Sequence, residues 1–169
     1  MTQKLRVFVD TSVLLATLDR SQLVHQQQAQ RWIRELWIRG CLRTSVQVLA
    51  EFATHASRLQ RGLTSNQLAD YLAVFLTWQP AAMGTQTLMR AWQLSQDEQL
   101  AWWDALAVAS AQEQACDVLL SEAFPHGAKL GGVLCQNPFL IGDPPAGVVP
   151  AVHEEPAPYS SPFRVTQAA

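Results

Sequence analysis

Leu5-Arg6-Val7-Phe8-Val9-Asp10-Thr11-Ser12 is the stretch whose reading decides the fold. A short apolar, β-branched run stops abruptly at an acid and two hydroxyl residues, as a buried strand does where it hands over to a capped helix. Outward from it, Ala29, Trp32, Ile33, Leu36 and Trp37 recur at helical spacing between Leu23 and Ile38, with glutamine and arginine between them, until Gly40 stops the pattern. Cys41-Leu42-Arg43 then reads as a second short strand, because Thr44-Ser45-Val46-Gln47 spells a capping box. The helix it opens carries Leu49, Phe52, Ala53 and Ala56 inward. Thr64 to Trp78 reads as a further helix, Pro80 to Gly84 as a weak strand and Thr85 to Gln96 as one more helix.

Leu100 to Ala115 differs, since Trp102, Trp103, Ala105, Leu106, Ala107, Val108 and Ala109 leave hardly any polar face. Such a helix is buried nearly all round. Asp117-Val118-Leu119-Leu120-Ser121 and Val133-Leu134-Cys135 read as the last strands, with Phe124 to Gly132 as the loop between them. Strands alternating with helices predict an α/β domain whose parallel sheet is covered on both faces.

The compositional break falls after Leu140: Ile141 to Ala169 holds six of the nine prolines and has neither helical nor strand periodicity. The expected organisation is therefore one domain over residues 1–140 and a disordered Pro/Ala-rich tail over 141–169. Hydrophobic residues make up 49% and charged residues 15%, a balance that excludes a solvated disordered polymer and implies a real core. Met1 to Asp10 lacks the long apolar region and cleavage site of a secretory signal, and no stretch reaches the roughly 20 apolar residues of a membrane span. Cys41, Cys116 and Cys135 form no CxxC pair and no metal-ligand spacing with histidine. The expectation is a soluble protein of the reducing cytoplasm.

The net charge of −2 does not itself suggest a nucleic-acid partner. Between Arg20 and Arg61, however, seven arginines face two acids, Glu35 and Glu51. A phosphate-binding patch and a solvated helix face both account for that local excess.

Three acids stand out by position. Asp10 ends the first strand, at the edge where open α/β sheets place their ligands; the competing role is a helix cap, which Thr11 and Ser12 are equally able to supply. Glu51 lies off the apolar stripe of its helix, where an ordinary surface glutamate also sits. Asp104, between Trp103 and Ala105, is expensive to bury as an ion without a partner, and apart from an N-terminal-turn position its candidate partners are a metal ion or a distant arginine. Oxygen ligands of this kind select Mg²⁺ or Mn²⁺ over zinc. Clustered carboxylates repel one another, and a divalent cation that keeps them ionised also binds phosphate oxygens and acidifies a bound water, so the chemistry suggested is phosphodiester hydrolysis.

Val9-Asp10-Thr11-Ser12-Val13-Leu14-Leu15, Leu49-Ala50-Glu51-Phe52 and Trp103-Asp104-Ala105-Leu106-Ala107-Val108-Ala109 together resemble the successive acidic motifs of the PIN-domain ribonucleases, and among them the VapC-type toxins. Leu120-Ser121-Glu122, His126-Gly127 and Asn137-Pro138-Phe139 resemble the segment that closes the catalytic domain in one branch of that family. The resemblance implies a three-layer fold with a sheet of about five parallel strands, a Mg²⁺ or Mn²⁺ site built from Asp10, Glu51 and Asp104, and endonucleolytic hydrolysis of RNA by water. It also implies a small antitoxin protein that blocks the pocket, and a homodimer. Thr11, Ser12 and Ser121 are the implied supporting residues.

One departure concerns the fourth acid. Where the family pattern reads Ser-Glu-Asp, this chain reads Ser121-Glu122-Ala123. Glu122 is the candidate replacement ligand, against which stands the rule that adjacent side chains on an extended segment point to opposite faces. The absence leaves open a degenerate domain that binds RNA or protein without cutting. A phosphatase using Asp10 is disfavoured, because Asp10-Thr11-Ser12 has no second acid close by. Trp32, Trp37, Trp92, Trp102 and Trp103 lie in amphipathic or apolar helices, and core or interface packing is expected for most of the six tryptophans in preference to base stacking. His126, in a loop beside Pro125, is expected to be solvated.

Overall fold

The computed structural model describes residues 5–59 and 63–144 of the chain. In order these form β1 (Val7–Val9), α1 (Thr11–Ala16), α2 (Leu23–Ile38), β2 (Leu42–Arg43), α3 (Val46–Leu59), α4 (Ser65–Leu76), α5 (Thr85–Asp97), α6 (Trp102–Glu113), β3 (Val118–Leu120), β4 (Lys129–Leu130), β5 (Val133–Gln136) and α7 (Pro138–Ile141). The strands make one five-stranded sheet in the order β2-β1-β3-β5-β4. β1 lies parallel to β2 and β3, and β3 parallel to β5. Val7, Phe8 and Val9 are all buried although successive side chains point to opposite faces, so both faces of β1 are covered, as the sequence predicts.

Two local expectations are corrected. The Phe124 to Gly132 segment, expected as a plain loop, contains β4, which pairs antiparallel with β5 through Leu130 and Val133. Gly131 and Gly132 link them with φ of 53° and 90°, the positive pair that a two-residue hairpin turn requires. Pro80 to Gly84 forms no strand; Ala81 makes a single parallel bridge to Ser45.

The start of α3 also differs from the capping box expected at Thr44 and Gln47. The Thr44 hydroxyl donates to the Val9 carbonyl at 3.2 Å, tying β2 to the end of β1. Ser45 supplies the cap instead, its hydroxyl accepting the Val48 N–H at 3.3 Å. With Thr44 spent on the sheet, the Gln47 side chain is released for another partner.

Phe8, Leu14, Ile33, Phe52, Phe75, Leu106, Leu119 and Leu120 are fully buried. Burying one such side chain stabilises the fold by roughly 1.5–3 kcal/mol. Phe52 and Phe75 meet edge to face at 5.0 Å between ring centres and 77° between planes, fastening α4 onto α3. The α6 helix is buried from Ala105 through Ala111, in agreement with its apolar sequence. Its first turn is not: Trp102 and Trp103 are 39% and 55% exposed, and Trp92 on α5 is 58% exposed. Of the core or interface packing expected for most tryptophans, the core is excluded for these three, because it begins only at Ala105 and because Trp92 continues the outward stripe of Leu88 and Met89.

Cys41, Cys116 and Cys135 are buried free thiols. Burial pushes Cys116 up to about 12 and Cys135 up to about 11, so neither is a nucleophile at neutral pH. Residues 141–144, placed in the tail by composition, follow α7 onto α2, where Trp32 Nε1 donates to the Gly142 carbonyl at 2.8 Å and Arg31 pairs with Asp143 at 2.7 Å. The rest of the expected tail, 145–169, lies outside the described residues. No helix among the described residues is long and apolar enough to cross a membrane.

Candidate active site

Two neighbours of β1 pull the chain in opposite directions, β2 to one side and β3 to the other. That change of direction puts the carboxyl ends of β1 and β3 at the position where open α/β sheets form their ligand-binding crevice. Asp10 follows β1 and Ser121 follows β3. The Asp10 N–H donates to the Leu120 carbonyl at 3.1 Å, which extends the strand pairing by one residue and brings the two side chains together. The Ser121 hydroxyl donates to Asp10 Oδ2 at 2.7 Å, and Ser12 Oγ donates to the same oxygen at 3.3 Å. Ser12 and Ser121 hydroxyls are themselves 3.2 Å apart.

Asp10 occupies the N-cap position of α1; its side chain makes no capping bond of full geometry, while the backbone N–H groups of Thr11 and Ser12 lie near enough to favour its charged form. It is 8% exposed, and burial raises its carboxyl above the usual range against the opposing effect of the two serine hydroxyls. Glu51, in α3, is half-buried. Burial raises it first, the negative charges of Asp10 and Asp104 raise it further, and the Gln47 amide, which donates to Oε1, opposes them. Gln47 and Glu51 are four residues apart on one helix face, a spacing visible in the sequence but not read as a pair there. Asp104 is the third residue of α6; burial and then the Asp10 charge raise it. Neither ion pair formed among the described residues, Arg31 with Asp143 or Arg39 with Glu35, involves these carboxylates. These mutually repelling acids thus meet no ion-pair partner among the described residues.

The remaining candidates separate by contact. Thr11 is buried and its hydroxyl donates to the Val48 carbonyl at 3.4 Å, joining α1 to α3 rather than facing the acids. Glu122 is exposed and lines a shallow cleft with Ser12, Asp19 and His25, its N–H donating to Ser12 Oγ at 3.1 Å. Ala123, at the expected fourth-acid position, contributes only its N–H, donated to Ser121 Oγ at 3.0 Å. His126 is exposed but not merely solvated, since its Nδ1 accepts the Asn137 N–H at 3.2 Å. Of the arginines counted as a basic stretch, Arg31 and Arg39 are in the ion pairs above, Arg43 folds back on the Leu42 carbonyl at 2.6 Å, and Arg61 lies outside the described residues.

A hard divalent cation fits this donor set in charge and in chemistry: three carboxylates, one of them almost fully buried, with no ion pair to arginine or lysine among the described residues. Among the described residues no three His, Cys, Asp or Glu side chains already converge at ligating distance, so the acids must draw together to grip an ion. Glu51 has the obvious freedom to do so, by exchanging Gln47 for the ion. Ser121 is the fixed point of the arrangement. Ser121→Ala removes the shortest hydrogen bond to Asp10, and an outer-shell loss of this kind lowers metal affinity by about 10- to 100-fold; Mn²⁺ titration by calorimetry measures it, and unchanged affinity would show that Ser121 does not hold Asp10 for a ligand.

The family profile described as "PIN domain" matches residues 7–122, a span that contains Asp10, Glu51, Asp104 and Ser121. No curated protein matches at a significant level. Among solved structures, the Mycobacterium tuberculosis toxin VapC20, described as cleaving the sarcin-ricin loop, superposes with a TM-score of 0.50 at 20% identity, covering 67% of this chain and 86% of the toxin. At that identity the likeness is one of fold.

Proposed function

Since the chain belongs to the PIN domain family, we propose that it is a divalent-metal-dependent endoribonuclease of the VapC toxin type, with Asp10, Glu51 and Asp104 as its catalytic carboxylates. The observation that carries the reading is Asp10 itself, a buried acid raised by desolvation, hydrogen-bonded by two serines, and accompanied by two further acids. Mg²⁺ or Mn²⁺ held by Asp10, Glu51 and Asp104 would lower the pKa of a water and offset the charge of the scissile phosphate.

The protein's part is positioning. Ser121 and Ser12 fix one oxygen of Asp10, Oδ2. Gln47 holds Glu51 in reserve near the crevice. Asp104 stands in the first turn of α6, where the helix dipole favours an anion.

The same reading makes RNA the substrate and a small antitoxin protein the inhibitor, in a cytoplasmic setting. A homodimer is its working form, and the exposed apolar stripe Leu88, Met89 and Trp92 on α5 is a surface of the kind interfaces use. The alternative, a PIN domain that binds without cutting, draws on Ala123 and on the exposed position of Glu122. Incubation of labelled RNA with Mn²⁺, with EDTA, and with the Asp104→Asn variant decides between them. Cutting that requires Mn²⁺ and is lost in the variant is the expected result; intact RNA in every lane, with binding retained, would overturn the nuclease in favour of the binding module.

A further inference from the structure

We propose that Trp103 is a stacking platform for a nucleobase of the strand held at the carboxylates. The inference rests on the nuclease reading and adds the contact by which the crevice holds its substrate. Trp103 is 55% exposed and immediately precedes Asp104 in the first turn of α6. Successive helical residues diverge by about 100° around the axis, so Trp103 flanks the face that presents Asp104, whereas Trp102 diverges from it by about 200°. Trp102 is also the less exposed of the two, at 39%. Neither indole stacks on another aromatic ring among the described residues.

The core that begins at Ala105 offers Trp103 no further burial, so its ring stands in water beside Asp104 with a face available to a flat partner. The local charge says which part of a nucleic acid it meets. Asp97 and Glu98 precede this turn, Asp104 follows it, and no lysine or arginine lies between Asp97 and Glu113. Such a surface repels phosphate unless an ion intervenes, so the part of the strand that an indole here receives is the uncharged face of a base. Stacking on an aromatic side chain tolerates any base, and it supplies affinity where this segment carries no cation to offer the backbone. The crevice then holds the phosphodiester at the acids and the adjoining base on Trp103.

The test compares wild type, Trp103→Ala and Trp103→Phe, all as full-length protein. Binding of a fluorescein-labelled mixed-sequence RNA oligonucleotide is followed by anisotropy in an Asp10→Asn background, with parallel cleavage assays in Mn²⁺ without that substitution. Removal of a stacking ring weakens binding by about 5- to 150-fold. The slope of log Kd against log salt stays unchanged, because no phosphate contact is lost. Phenylalanine restores most of the affinity, and sedimentation shows the same mass for all three proteins. Wild-type cutting with equal binding and cutting by Trp103→Ala would overturn the platform and leave the nuclease standing. A loss in Trp103→Ala that phenylalanine does not restore, accompanied by a fall in mass, would reassign the ring to a contact between copies. Failure of wild type to bind or cut would remove the nuclease reading and the platform with it.

Discussion

Asp10→Asn is expected to reduce Mn²⁺-dependent RNA cleavage by on the order of 10³ or more while making the metal-free protein more stable. The two effects have one origin. Burial raises the Asp10 carboxyl, so the folded chain binds that proton more tightly than the unfolded chain does. Stability then falls as pH rises through the raised value, and it is fully present only below the ordinary carboxyl range near pH 4. Glu51 and Asp104 are raised as well and add to the same trend. Asparagine keeps an oxygen to accept the Ser121 hydroxyl and removes the buried charge, so above neutral pH in EDTA its melting temperature should exceed that of wild type, with the gap closing under acid. Added Mn²⁺ should raise the melting temperature of wild type and leave the variant unmoved, because an ion that binds only the folded state stabilises it by mass action. A variant that melts lower than wild type at every pH would mean that Asp10 is held for structure, and the catalytic assignment would fall with it.

Much of the fold is legible in the sequence, and the three acids are singled out there by different signals. Asp10 at a strand end is a positional signal, because the strand is short and β-branched and the sheet edge follows from its termination. Asp104 is a chemical signal, an acid inside an apolar helix. Glu51 had neither, and only its company singled it out; what places it is α3, which starts one residue later than the Thr44 box suggested because the sheet claims Thr44. Gly40 announced the end of α2. The ends of α4, α5 and α6 had no such marker, for the left-handed residues that follow them are Gln79, Gln99 and Ala115, at φ of 55°, 53° and 51°. Those residues adopt a conformation that sequence composition argues against, so tertiary packing sets those boundaries. That the core excludes Trp92, Trp102 and Trp103 was not legible for a related reason: periodicity shows that a helix is apolar, but not how far along it the neighbouring elements reach.

Phe52→Ala is expected to cost about 3–5 kcal/mol, a large part of the roughly 5–15 kcal/mol by which a domain is stable, and to lower the melting temperature by about 10 °C or more. Phe52 is fully buried, meeting Phe75 at 5.0 Å and Tyr71 at 6.5 Å between ring centres, so its loss empties the joint between α3 and α4. Its neighbour in sequence is Glu51. On a helix the two side chains diverge by about 100°, so the ring that seats α3 in the core also fixes the roll that turns Glu51 and Gln47 toward the crevice. Stability and metal affinity should therefore fall together in Phe52→Ala, and both should largely survive in Phe52→Leu, which refills most of the volume. Glu51→Gln should separate them, losing Mn²⁺ affinity while its metal-free stability holds or improves. Calorimetric Mn²⁺ titration and thermal melts of the three variants test the coupling. Were Phe52→Ala to melt low yet bind Mn²⁺ as wild type does, the orientation of Glu51 would not depend on the core, and the acids would have to be gathered by the ion alone.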